Sequence, residues 1–239
     1  MKQILAFLSA VMLITFVSCN NNEPAKEETK TNNENTASSA KVTQQPTFQP
    51  FTITLIRHKV KDFDKWLPVY EAQDSARKAN GLTEIGLERG LDNSNEITVA
   101  FKTDDLQKAK DFTYSPGLKE AMQKAGVTGL PTISYITVIR NDNSSIEQKD
   151  RLSVVHHVKD FDAWLKVFDS ERKETRAGYG LIDRGIARGI DDPNTVHVLF
   201  AVSDMAKAKA RVGSPEMKKL MTDAGVDGPP TINFYRLVR

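Results

Sequence analysis

The chain has 239 residues, enough for one large or two small folded units, and its 39% hydrophobic and 27% charged content is that of an ordinary globular protein. A formal net charge of +2 without any basic block excludes the electrostatic footprint of a nucleic-acid binder. The one cysteine, Cys19, lies far from the region that reads as folded, which excludes disulfides and thiolate metal sites there.

Met1-Lys2 gives a positive start, and Ile4 to Val17 is an apolar run too short for a comfortable membrane span. The run ends at Ser18-Cys19 and resembles a bacterial lipoprotein signal, in which a small residue precedes the cysteine that is acylated after cleavage. The resemblance implies a leader over 1–19, acylation of Cys19 and a membrane lipid as partner, since two or more acyl chains hold where one is marginal. Asn20 stands where an Asp would signal inner-membrane retention, so the same resemblance points to the cell envelope at its outer membrane. The plainer alternative is a secreted protein with a free Cys19. Residues 20–50 are dominated by Asn, Glu, Lys, Thr and Ser. Such a stretch cannot bury enough surface to offset its ordering entropy, and it reads as a disordered tether.

Thr52 to Val60 is β-rich and predicts a strand. Asp62 is a candidate N-cap, and Phe63, Trp66, Leu67 and Tyr70 then recur at helical spacing. Pro68 breaks that pattern, so the helix either starts late or kinks. Two strands follow, Thr83 to Leu91 and Glu96 to Lys102, joined by the turn Asp92-Asn-Ser-Asn95. After Asp104-Asp105 comes a short helix, then a second start at Ser115-Pro116, serine as cap and proline at the first helical position. Leu118, Ala121, Met122 and Ala125 line one face of this helix. Gly126 closes it in a left-handed conformation. A last strand is predicted over Thr132 to Arg140.

The same text then returns. His58-Lys-Val-Lys-Asp-Phe-Asp-Lys-Trp66 reappears as His156-His-Val-Lys-Asp-Phe-Asp-Ala-Trp164, offset by 98 residues, and Ser115-Pro116 reappears as Ser214-Pro215, offset by 99. The first copy spans 51–141, a linker 142–150 and the second copy 151–239. Each copy reads as β-α-β-β-α-β, a ferredoxin-like unit with both helices on one face of an antiparallel sheet. A copy of roughly 88 residues is small for an isolated core, so the two gain by packing together. Ile97, Val99 and Phe101, matched by Val196, Val198 and Phe200, are placed against the helices by alternation. The opposite set, Thr98 and Ala100 or His197 and Leu199, is too apolar for water and too polar for a tight core. Two such faces meeting each other enclose a shared chamber.

The order of elements, the Asp-Phe-Asp-x-Trp helix start and the Ser-Pro…Ala-Gly-Val-x-Gly-x-Pro segment resemble the dimeric α+β barrel superfamily, in particular its antibiotic-biosynthesis-monooxygenase-like members. The resemblance covers about residues 51–239. It implies an α+β fold in which two tandem ferredoxin-like βαββαβ repeats form an intramolecular pseudo-dimeric barrel, a monomer with an internal pseudo-two-fold. It also implies cofactor-independent oxygenase chemistry as one possible activity.

Several residues carry candidate chemistry. Trp66 and Trp164 read either as core anchors or as a stacking wall for an aromatic ligand. His58 and His156 alternate in phase with apolar strand residues; they sit under the helices or stand at the chamber mouth as a base or ligand contact. His197 has no counterpart in the first copy, where Thr98 stands, and so marks a point of divergence facing the chamber. Arg89 and Arg188, each before a glycine, read either as clamps for an anion or as surface charges. Gly86 and Gly185, on the same strands, predict sharp curvature. No phosphate loop, His-Glu-x-x-His helix or Gly-x-Ser-x-Gly elbow is present, and no residue set calls for a metal or cofactor. Three functions fit: binding a small, mostly apolar molecule, a small-molecule enzyme, or a purely structural envelope protein.

Overall fold

A computed structural model of the chain describes residues 48–239. The leader, Cys19 and the tether up to residue 47 lie outside the described residues. The first half runs β1 (Phe51–Val60), α1 (Phe63–Ala72), α2 (Asp74–Ala79), β2 (Leu82–Gly90), β3 (Glu96–Thr103), α3 (Leu106–Thr113), α4 (Pro116–Lys124) and β4 (Val127–Asn141). The second half repeats it as β5 (Asp150–Val158), α5 (Phe161–Ser170), α6 (Lys173–Gly178), β6 (Leu181–Gly189), β7 (Thr195–Val202), α7 (Met205–Val212), α8 (Pro215–Asp223) and β8 (Val226–Leu237).

Local chemistry sets the helix ends. The Asp62 carboxylate accepts from the amides of Asp64 and Lys65, and Asp160 does the same for Ala163. Ser115 and Ser214 cap α4 and α8, each with proline at the first helical turn. Gly126 and Gly225 leave those helices at φ +80° and +78°, a left-handed conformation that favours glycine. The second helical segments α2 and α6 were not legible in the sequence. They also hold the one-residue offset between the copies, because Gln73 alone joins α1 to α2 whereas Glu171 and Arg172 join α5 to α6. Pro68 does not delay α1, which runs through it from Phe63 to Ala72.

The last strands begin earlier than expected, at Val127 and Val226, directly after the helix-closing glycines. Pro131 and the Pro229-Pro230 pair lie inside them. The strands carry them because the pairing slips there: β1 shifts register on β4 between Arg57 and Lys59, and β5 on β8 between Val155 and His157. A bulge tolerates a residue without an amide hydrogen.

Eight strands close one barrel in the order β1-β3-β2-β8-β5-β7-β6-β4. Each half contributes four strands, and the halves join at two seams. The β4–β6 seam pairs Ile136 with Gly189 through Asn141 with Gly185; the β2–β8 seam is shorter, pairing Glu88 with Leu237, Arg89 with Arg236 and Gly90 with Tyr235. Register shifts at Glu84/Gly86 and Asp183/Gly185 supply the curvature expected of those glycines. Closure leaves no open sheet edge. Helices cover the outside, and beneath them lie two equivalent cores, one around Trp66, Leu87, Val99 and Phe101, the other around Trp164, Ile186, Val198 and Phe200. A third cluster, Ile53, Ile136, Val138 and Ala187, fills the barrel interior beside the β4–β6 seam.

Candidate functional site

The apolar cavities lie outside the barrel, one in each half, between the sheet and its helices. The first holds about 50 Å³ and is walled by Ile56, His58, Trp66, Tyr70, Phe101 and Met122. The second holds about 80 Å³ and is walled by Val154, His156, Trp164, Phe168, Phe200 and Met221. The sequence placed a single chamber between the two sheets. The structure instead gives two cavities related by the repeat, and it puts His58, Trp66, His156 and Trp164 into them.

Alternation along β1 and β5 points His58 and His156 outward toward the helices, each 6% exposed. His58 lies 5.5 Å from the Trp66 ring centroid and His156 5.4 Å from that of Trp164. Neither nitrogen of either imidazole has a hydrogen-bond partner. Burial in apolar surroundings lowers both pKa values from 6.5 to about 4, so both rings are neutral near pH 7. A neutral imidazole presents one donor and one acceptor. Here both are unpaired on a cavity-lining side chain, where a hydroxyl or carbonyl can satisfy them. The tryptophans anchor the cores, at 2% and 4% exposure, and also form a wall of each cavity, so the two readings of them coexist.

The two cavities differ where the copies differ. In the first, Tyr70 stacks on Trp66 with centroids 4.6 Å apart and donates its hydroxyl to Glu84. In the second, Phe168 replaces Tyr70, stacks on Trp164 at 5.3 Å and leaves a larger space. The second cavity is also lined by Arg211, Glu171 and Tyr179. Arg211 pairs with Glu171, lies 4.5 Å over the Tyr179 ring and leaves its Nε without a partner. Phe112, Gln73 and Asn80 stand at the matching places in the first half.

His197 lies elsewhere. It faces the barrel interior, as alternation requires, and sits opposite Val155 on β5 and Ala187 on β6. Burial, then Arg57, then His156 lower its pKa to about 4. Through Arg57 it adjoins a polar cluster that sequence reading missed, of Glu88, Thr98, Arg151 and Tyr235. The signal was available, because Arg57 and Glu88 differ from their counterparts Val155 and Ala187 just as His197 differs from Thr98.

Arg89 and Arg188 reach neither a cavity nor the interior cluster. Each donates its Nε to a carbonyl of the following turn, Ser94 or Pro193, at 2.6 Å. Each guanidinium also covers a phenyl ring, Phe63 at 3.8 Å or Phe161 at 3.9 Å. They brace a hairpin against a helix start. Arg77 and Arg176, unremarked in the sequence, are also buried; each lies over an aromatic ring of the preceding helix, Tyr70 at 3.9 Å and Phe168 at 4.0 Å. Among the described residues, no three His, Cys, Asp or Glu side chains gather as a metal set.

No family model matches the sequence, and no curated protein does. Solved structures do. An anthrone oxidase-like protein superposes with a TM-score of 0.53 at 13% identity, over 79% of this chain and 92% of that one. A candidate monooxygenase of Fusobacterium nucleatum superposes at 0.51 with 11% identity, over 80% and 93%. The chain has the dimeric α+β barrel fold. A ferredoxin-fold protein of Listeria monocytogenes related to antibiotic biosynthesis monooxygenases is also similar, at 11% identity and a TM-score of 0.47, over 80% and 97%. At these identities the likeness establishes architecture, and the chemistry must be argued from the side chains.

Proposed function

We propose that the protein binds a small, mostly apolar molecule carrying a hydroxyl or carbonyl, in the cavity between sheet and helices of the second half, with a narrower twin in the first. The observation that carries this is His156: a buried imidazole with both nitrogens unpartnered in a mostly apolar wall. Leaving a buried polar group unpaired costs about 1–3 kcal/mol, and a ligand hydroxyl recovers it. Trp164 and Phe168 offer flat surfaces to an aromatic ring. In the same reading the protein is a monomer held at the cell envelope by acyl chains on Cys19, which presents the cavities beside the membrane. Among the described residues no helix is long and apolar enough to cross one.

The two tryptophans of the chain stand one in each cavity, so intrinsic fluorescence reports directly on occupancy. Titration with 2-naphthol should give a saturable change that Trp66→Phe retains and Trp164→Phe removes. Naphthalene, lacking the hydroxyl, should bind about tenfold more weakly, the worth of one hydrogen bond. Absence of any saturable change with either compound refutes the reading.

A second reading is a cofactor-independent oxygenase or oxidase. It is supported by the fold shared with the anthrone oxidase-like protein and by the neutral imidazoles, each able to take a proton from a bound hydroxyl. With anthrone as probe, one O2 consumed per molecule to give anthraquinone and water, lost in the His58→Phe, His156→Phe double variant, supports this reading over binding alone.

A further inference from the structure

The barrel interior contains a second constellation, independent of the cavities under the helices. The two seams differ in chemistry. Beside β4–β6 the interior is apolar, with Ile53, Ile136, Val138 and Ala187. Toward β2–β8 it holds Arg57, Glu88, Arg151 and Tyr235. This polarity arises by divergence of the copies. Arg57 and Glu88 answer to Val155 and Ala187 in the second half, while Arg151 and Tyr235 answer to Ile53 and Ile136 in the first. The substitutions in the two halves converge on one place. The Arg57 guanidinium lies 5.5 Å from the centre of the Tyr235 ring, Glu88 lies in the field of Arg151 and Arg57, and His197 in that of Arg57.

Several of these groups lack partners. The Nε of Arg57, the Oγ1 of Thr98, the Nδ2 of Asn233 and the hydroxyl of Tyr235 are all buried without a hydrogen bond. Thr98 is 6% exposed and Tyr235 1%. The Thr98 and Tyr235 hydroxyls lie near each other. Asn233 stands two residues before Tyr235 on the same face of β8. Charge is also unbalanced. Two guanidinium groups, on β1 and β5, face one carboxyl, Glu88 on β2, and His197 on β7 is neutral. Arg184 adds to the positive field at Arg151. Glu96 of β3 stands opposite Lys59 of β1 in register and also lies in the field of Tyr235. Arg151 is partly satisfied by the carbonyls of Gln148 and Asp150, whose carboxylate is taken by Arg236. Unpaired buried donors beside positive charge are surroundings that favour an anion.

We propose that the barrel interior at the β2–β8 seam binds one small anion, a halide or a formate-sized carboxylate, between the Arg57 guanidinium and the Tyr235 hydroxyl. The site stands apart from the cavities that hold His58 and His156. Glu88 competes with the anion for the same donors. Burial raises the Glu88 pKa to about 7 against the opposing pull of Arg151 and Arg57. Binding is therefore tighter below pH 7, where Glu88 is protonated, than above it.

The test uses the full chain at constant ionic strength in chloride, formate or gluconate, the last too large to enter. The readouts are the thermal midpoint and the 35Cl linewidth. Chloride should raise the midpoint over gluconate and broaden the line; formate should either compete the broadening away, identifying a carboxylate site, or fail to, identifying a halide site. Arg57→Val, the residue of the second copy, should weaken binding about tenfold or more, as loss of a charge-assisted bond does. Glu88→Ala, again the second copy's residue, should tighten it. His156→Phe should change neither. Equal midpoints in all three salts with an unbroadened line overturn the proposal, as does an Arg57→Val protein of unchanged affinity. If Arg57→Val does not fold, Glu88→Ala decides: binding that stays the same or weakens overturns the site.

Discussion

The imidazole of His58 stands 5.5 Å from the indole of Trp66 at an angle of 53°, and His156 repeats the relationship with Trp164 at 5.4 Å and 54°. A geometry kept this closely in both copies, around a polar ring that bonds to nothing, separates position from stability. The ring is fixed by packing, while its nitrogens are left free. Replacing His156 by Phe removes an unsatisfied polar group and adds a little apolar volume beside an existing cavity. The variant should be as stable as the parent or slightly more so, within about 1 kcal/mol. Its affinity for 2-naphthol should fall toward that for naphthalene. Urea unfolding and fluorescence titration of the same protein check both halves of the prediction.

Two buried histidines and one half-buried histidine make stability depend on pH. His58, His156 and His197 have folded pKa values near 4 against 6.5 in the unfolded chain. Their contribution is complete above pH 6.5 and is lost as pH falls toward 4, because the unfolded chain takes up protons that the folded one refuses. Glu88, raised from 4.5 to about 7, acts in the opposite sense: its contribution is complete below pH 4.5 and lost as pH rises through 7. The histidines outnumber it, so the unfolding free energy from urea titration should fall between pH 6.5 and 4, by several kcal/mol in all. The His58→Phe, His156→Phe protein should show a much flatter profile. Glu88→Ala should gain stability relative to the parent at pH 8 but not at pH 4.

Trp66 is 2% exposed and packs on Phe63 and Tyr70 as well as His58. Trp66→Ala should cost about 3–5 kcal/mol through lost burial and the hole left behind. Trp164→Ala should cost toward the lower end of that range, because the second half already contains the larger cavity. Chemical denaturation monitored by circular dichroism distinguishes the two.

Arg176 ties α5 to β6. It donates from Nη1 to the Phe168 carbonyl at 2.8 Å and from Nε to the Asp183 carboxylate at 2.8 Å, and lies 4.0 Å over the Phe168 ring. Arg77 makes the equivalent carbonyl bond to Tyr70 at 2.6 Å, but its acid, Asp74, is 3.6 Å away and 44% exposed. Arg176→Met leaves Asp183 without its partner and should cost about 2–4 kcal/mol, discounted from a fully buried pair because Asp183 is one-third exposed. Arg77→Met should cost less. Equal losses would mean that the carbonyl bond and ring contact, common to both, carry the whole effect.

What the sequence revealed and what it hid follow from the range of the interactions. Duplication, caps and alternation are local, so the order of strands, the Ser115 and Ser214 helix starts and the phase of His58 and His156 with the apolar strand residues were all readable. The bulge at Gly86 was readable as curvature. Closure of the barrel turns on pairs such as Glu88 with Leu237, separated by most of the chain, and periodicity carries no trace of those. The cavities were misplaced for a related reason. Alternation assigns a residue to a face but gives no account of how completely that face is filled, and Ile136 with Ala187 fill part of the barrel while Met122 and Met221 leave space under the helices. Arg176 shows the same limit, since its helix was too short for a periodic signal and its acid lies in another strand.

Pro68 offers a test of how far one copy instructs the other. It occupies the interior of α1, where it cannot donate to the carbonyl of Asp64, and α1 nonetheless continues to Ala72. Lys166 stands at the same place in α5, which has the same length without the proline. Packing of Trp66 and Phe63 on the sheet therefore holds α1 helical against its own backbone preference. Pro68→Lys restores one hydrogen bond and removes a ring clash, while giving the unfolded chain more freedom, a partial offset. The net should be a gain of about 1–3 kcal/mol, seen as a higher urea midpoint with unchanged slope. A loss of stability instead would show that the proline ring itself packs in the native fold, and that α1 is bent to accommodate it in a way α5 is not.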